Sequence, residues 1–154
     1  MAKALLIQYA QLIIPLFVLG FSRALKFVIF YFRHGKDFKY TIKHAMTYGH
    51  MPSVHSALMV SLVVSVGYFS GLASGAFTIA VVLAILIIDD ATRLRVYMGE
   101  HSRYINMLTD KTGVSEQDYP RLKERMGHKP EEVIAGAILG LILTLLLASW
   151  ITML

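Results

Sequence analysis

Residues 132–154 read EVIAGAILGLILTLLLASWITML, one carboxylate followed by 22 residues without a charge. The hydrocarbon core of a bilayer takes about 20 apolar residues per helix, so this stretch is long enough to cross it. Three more stretches are almost wholly apolar: 4–32, 53–69 and 72–88. Over all 154 residues, 56% are hydrophobic and 16% charged, with a mean hydropathy of +0.58. Soluble domains carry about 25% charged residues. These runs exclude a soluble globular domain and a disordered chain. The expected fold is all-α, a polytopic bundle of about four transmembrane helices with a partly helical polar loop, forming one domain over residues 1–154.

The connections between the runs are unequal. Segment 4–32 is too long for one straight span, so a tilt, a kink at Pro15 or an extension past the membrane is expected. The polar stretch HGKDFKYTIKHAMTYGHMPS follows, and the second span starts near Ser53. It ends in SGLASG, a turn without charge; the third span runs from about Phe77 to Ile88 and meets Asp89, Asp90, Arg93 and Arg95. Residues 99–130 are polar, with a break at Tyr119-Pro120, and the last span opens at Pro130, a residue suited to a first helical turn. Four spans put both termini on one side and both polar connections on the other. Lys3 is then alone on the terminal side, while the other 14 of the 15 lysines and arginines and all ten acidic residues lie on or near the loop side. The positive-inside bias places those loops in the cytoplasm and the termini outside. No cleavable signal is expected at the N-terminus, where the apolar run is too long. The absence of cysteine removes disulfides, thiolate nucleophiles and zinc-finger sites. A net charge of +5 suits lipid headgroups here, and no nucleic-acid partner is expected.

Three short segments meet on the loop face. Lys26 and Arg33 are seven apart and share one helix face; with Arg23 they also suit snorkelling anchors at a membrane border. In His50-Met51-Pro52-Ser53-Val54-His55-Ser56, Pro52 and Ser53 suit a helix start. Such a start offers unpaired N–H groups to an anion, and His55 would face it. In the third segment His128 and Glu132 are four apart, so the carboxylate can hold one ring nitrogen and leave the other open. A capping glutamate would be spaced the same way. Gly136 and Gly140 form a small-residue face for close helix packing. Arg95 adds a cation past the third span, and Asp90 is expected to pair with Arg93 or Arg95 in a structural role. Together this set suits a phosphate: cations clamp its oxygens, one histidine attacks, the other protonates the leaving oxygen.

At these residues the chain resembles the type-2 phosphatidic acid phosphatase superfamily, which includes the vanadium haloperoxidases. That family carries K-x6-R-P, P-S-G-H and S-R-x3-G-x-H-x3-D. Lys26 and Arg33 match the first motif, and Pro52, Ser53 and His55 the second. The third is split: Arg95-Val-Tyr-Met-Gly-Glu-His101 fits its front half, and His128 with Glu132 its back half. The arrangement looks most like the superfamily's divergent branch of small bacterial and plastid membrane proteins, with M-P-S-S-H-S, D-A-x-G-V-R-R and G-H-x-P-x-E-V-x-x-G. Here those read MPSVHS, Asp90-Ala-Thr-Arg-Leu-Arg95 and GHKPEEVIAG. The chain departs in three places: His34 follows Arg33, Val54 stands where a small residue is usual, and His101 stands where the branch usually has Gln.

The resemblance implies a phosphomonoester hydrolase that uses no metal or other cofactor. His128 would be the nucleophile, oriented by Glu132, and His55 the acid and then the base. Lys26, Arg33, Arg95, Ser53 and the Val54 amide would bind the phosphoryl oxygens. His101 is the alternative nucleophile; His128 is preferred because Glu132 follows it at the family spacing, where His101 has Ile105. The implied substrate is a lipid phosphate of the phosphatidic acid, phosphatidylglycerol phosphate or polyprenyl phosphate type. The competing reading is a non-catalytic lipid-phosphate binder or flippase, which needs neither an orienting carboxylate nor a second histidine. A small proton-coupled transporter is a third class, but no internal repeat supports it. With four spans rather than the six common in the superfamily, a homodimer is expected, with Gly136 and Gly140 as a contact.

Overall fold

A computed structural model describes residues 2–33, 38–44, 51–113, 115 and 119–153. Its helices are α1 (Ala2–Arg33), α2 (Phe38–His44), α3 (Val54–Ser70), α4 (Gly75–Asp89), α5 (Arg95–Thr112) and α6 (Pro130–Met153). A π-helical turn, Asp90–Leu94, joins α4 to α5, and no strand occurs among the described residues. Among the described residues three helical stretches are long and apolar enough to cross a membrane: Tyr9–Arg33, Gly75–Thr112 and Pro130–Met153. The apolar α3 is shorter, 17 residues and about 26 Å at 1.5 Å per residue. The chain is a helical membrane bundle.

The packing is inverted relative to a soluble protein. Alanines 10, 57, 80, 84, 91 and 148 and serines 22, 56, 61 and 65 are buried, while Leu16, Ile79, Ile85, Leu86, Ile142 and Leu146 are exposed. In lipid there is no hydrophobic drive between helices, so small residues gather where backbones approach and large ones face the acyl chains. Helix α3 lies at the centre, packed on α1, α4 and α6. Its seam with α6 is built from two rows of small residues spaced by four. Gly136 sits against the Ser53 carbonyl and Gly140 against the Ala57 carbonyl. One turn further, the Thr144 hydroxyl donates to Ser61 Oγ at 2.6 Å. The order of these rungs makes α3 and α6 parallel. The glycines are therefore spent within the chain, which corrects the expectation that they form a dimer contact: a Cβ at either would collide with α3 backbone.

Helix α1 runs antiparallel to α3. Near the start of α1, Ser65 Oγ donates to Ala10 O at 3.5 Å and Ser70 Oγ to Gln11 Oε1 at 2.9 Å, while Lys26, later in α1, lies within electrostatic reach of His55 at the start of α3. Tyr68 and Thr152 hydroxyls bond at 3.4 Å at this same end. The start of α1 and the end of α6 thus share one end of the bundle, and the starts of α3 and α6, tied by Ser53 N–H to Glu132 O, lie at the other. Helix α1 is unbroken through Pro15. The Ser74 hydroxyl caps α4 by accepting from Phe77 N at 3.1 Å. Beyond the expected third span the helix does not stop: Gly75–Thr112 is one helical rod of 38 residues, whose last part carries the polar face. Of the long polar stretch after α1, residues 34–37 and 45–50 lie outside the described residues, His34 and His50 among them.

Candidate functional site

The site is assembled from four helix ends and one irregular segment. The π turn comes first. Residues five apart on an α-helix are offset by roughly 140°, so Asp90 and Arg95 would face different ways. Winding as i→i+5, with the Arg95 N–H donating to Asp90 O, stacks them, and Arg95 Nε donates to Asp90 Oδ2 at 2.7 Å. Arg93 pairs instead with Asp89 at 3.3 Å. The Asp90 bond engages only Nε, and the Nη groups of Arg95 have no partner among the described residues.

Residues 119–129 form a strap that returns along α5 toward the π turn. Asn106, 5% exposed on α5, grips it at both backbone polarities: Nδ2 donates to Leu122 O at 3.0 Å and Oδ1 accepts from Leu122 N at 3.0 Å. Arg121 bonds Asp110 at 2.7 and 2.9 Å. Gly99 lets the strap close on α5, since a Cβ there would strike the Glu124 carbonyl. Gly127 has φ +83°, a left-handed conformation open to glycine, and packs over Val96 and Ala91 O. The strap ends where the His128 N–H donates to Ala91 O at 2.9 Å.

His128 is thereby placed over the first turn of α6. Its Nδ1 lies 2.8 Å from Glu132 Oε2, with the two side chains 8% and 13% exposed. A carboxylate on Nδ1 fixes a tautomer with the proton there and leaves Nε2 as the open lone pair. The Lys129 N–H donates to the same oxygen at 3.3 Å. The Ser53 N–H donates to Glu132 O at 2.9 Å, tying the start of α3 to that of α6. The buried Ser53 hydroxyl caps α3, accepting from Ser56 N and Ser56 Oγ. His55, one residue into α3, has its ring centroid 6.1 Å from that of His128. It lies within electrostatic reach of Arg95, His128, Lys26 and Asp90. Its Nδ1 is buried without a hydrogen-bond partner among the described residues. Lys26 is 8% exposed and interacts with Glu132. Arg33 is exposed and lines a cleft of about 670 Å³ with His128, Glu132, Arg125 and Lys129.

Lys26, His55, Asp90, Arg95, His128 and Glu132 are therefore brought together, with Arg33 at the rim and Ser53 and Val54 at the start of α3. His101 is exposed on α5, about 200° around the helix from Gly99, the residue that meets the strap. Sequence reasoning missed the π turn and the Asn106 clamp. Gly127 beside His128 was the one visible signal of a special backbone. Among the described residues no three His, Asp or Glu side chains gather as a metal-ligand set.

Fold and site together define a polytopic membrane protein with a histidine–carboxylate pair, a second histidine and several cations at one end of its bundle. The chain belongs to the divergent PAP2 family, whose profile matches residues 7–143, as its motifs led us to expect. It is 36% identical over 112 residues to the uncharacterised membrane protein YuiD of Bacillus subtilis (strain 168), covering 65% of this chain and 71% of YuiD. No solved structure matches.

Proposed function

We propose that the protein is a lipid phosphate phosphatase working through a phosphohistidine without metal. The observation that carries this reading is the His128–Glu132 pair at 2.8 Å with His55 beside it. Binding alone requires no carboxylate-oriented, largely buried imidazole. In the proposed reaction His128 Nε2 attacks phosphorus and the bond to the lipid alcohol oxygen breaks. His55 gives that oxygen its proton. Water then attacks the phosphohistidine while His55 takes a proton from it, and inorganic phosphate leaves with His128 restored. Lys26, Arg33, the open Nη groups of Arg95, the Ser53 hydroxyl and the Val54 amide stabilise the charge on the phosphoryl oxygens. The site lies at the polar end of the spans, where a phosphate headgroup meets its acyl or prenyl chain.

Phosphate release by purified protein with chelator present, against a panel of lipid phosphates, tests this. Turnover is expected in wild type, absent in His128→Ala and retained in His101→Ala. Turnover lost in His101→Ala and kept in His128→Ala would transfer the nucleophile to His101. Lipid-phosphate binding without turnover would make the protein a binder or flippase. The site is proposed to face the cytoplasm. A cysteine placed at Lys111, exposed near the end of α5, should react in intact cells with membrane-permeant reagents only.

A further inference from the structure

Three cations, Arg33, Arg125 and Lys129, line the cleft beside His128 together with the carboxylates of Glu131 and Glu132. Three other arginines of this face are paired with a carboxylate: Arg93 with Asp89, Arg95 through its Nε with Asp90, and Arg121 with Asp110. The side chains of Arg33, Arg125 and Lys129 have no carboxylate partner among the described residues. The backbone that carries two of the three is fixed, although their side chains are exposed. Arg125 lies between Glu124, whose carbonyl packs on Gly99 and whose carboxylate accepts from Asn106 at 2.8 Å, and Gly127, which packs on the π turn. Lys129 follows His128 directly, and its own N–H is bound to Glu132. The cleft, at about 670 Å³, is far larger than one phosphoryl group requires.

Lys26 and the Nη groups of Arg95 already supply donors for one phosphomonoester, whose charge is about −1.5 to −2 near neutral pH. Against its three cations the cleft sets, among the described residues, only Glu131 and Glu132, the latter engaged with His128, and the surplus of positive charge suits a second anion. We infer that Arg125 and Lys129, in the cleft that Arg33 and His128 also line, form a second anion subsite that takes the other phosphate of a lipid headgroup carrying two. The inference rests on the phosphatase reading of the His128 site and adds to it a preference among lipids. Arg125 and Lys129 are then the specificity-determining residues.

The test uses full-length protein in neutral-lipid nanodiscs and two matched pairs: phosphatidic acid with phosphatidylglycerol phosphate, and farnesyl monophosphate with farnesyl diphosphate. Binding and hydrolysis are both measured, for wild type and for the double variant Arg125→Gln/Lys129→Gln. Charge-assisted hydrogen bonds predict that wild type favours the two-phosphate member of at least one pair about tenfold or more in Kd and KM. The double variant should lose that preference while its values for the one-phosphate members stay within about threefold, which also shows that it folds. No preference in wild type for either pair overturns the inference. So does an equal loss for one- and two-phosphate lipids, which would make the cations a general attractant for anions. A preference that appears only when phosphatidylglycerol is added to the nanodiscs would assign the subsite to a bystander lipid and overturn it as well. If nothing is hydrolysed, the phosphatase reading fails, and the Kd comparison still decides this one.

Discussion

The α3–α6 seam and the joint between α5 and the strap are both closed by a glycine on a carbonyl, Gly136 on Ser53 and Gly99 on Glu124. They differ in everything else. The seam joins two regular helices over several turns, and each turn adds another contact from a small residue. The joint holds irregular backbone, and its central grip is one side chain, Asn106. The seam supplies Glu132 and His55, while the joint supplies His128. The catalytic pair proposed here therefore spans a rigid part and a part held by few bonds. Damage to the first should be read as lost fold, and damage to the second as misplaced chemistry.

The largest effect should follow Gly136→Val. Overpacking commonly costs about 1–3 kcal/mol, occasionally more. Here the obstacle is backbone, so the variant should yield no monodisperse protein by size exclusion in detergent. A well-folded variant would mean the seam can shift, and the contrast with the strap would fail. Next is Glu132→Gln, which keeps the shape but removes the charge that orients His128. Lipid phosphate turnover should fall by about 10²–10⁴ with the thermal midpoint little changed. Asn106→Ala leaves Leu122 N–H and C=O without their partner, a local cost of about 1–3 kcal/mol. Turnover should drop roughly tenfold as His128 wanders, and amide exchange should rise in 119–128 but not in α3 or α6. Equal exchange across the bundle would erase the distinction. The smallest effect belongs to Thr144→Val, which removes one hydroxyl bond within the seam. Such bonds average about 0.6 kcal/mol in membranes, so the melt should shift slightly and activity should hold.

The spans were legible because apolar runs of membrane length seldom arise outside a bilayer, and the shared end of both termini followed from their number. The His128–Glu132 contact was legible because spacing by four fixes a helical neighbour. The partner of Gly136 and Gly140 was not, since a small-residue face says that a backbone comes close without saying whose. The continuation of α4 into α5 was hidden because its composition turns from apolar to polar at Asp89, and composition reports the surroundings rather than the backbone. Asn106 carried no signal at all. An asparagine in a polar stretch looks the same whether it faces water or holds a strap formed 16 residues later.

The π turn has one more consequence. By adding a residue between membrane and polar segments, it sets the rotational phase of α5 against the bundle, as a key sets a shaft. Losing one residue from 90–94 would turn the rest of α5 by about 100°, carrying Gly99 and Asn106 away from the strap together. Substitutions on the outer face of α5, around His101, touch none of this. In this part of the chain length is constrained more tightly than composition.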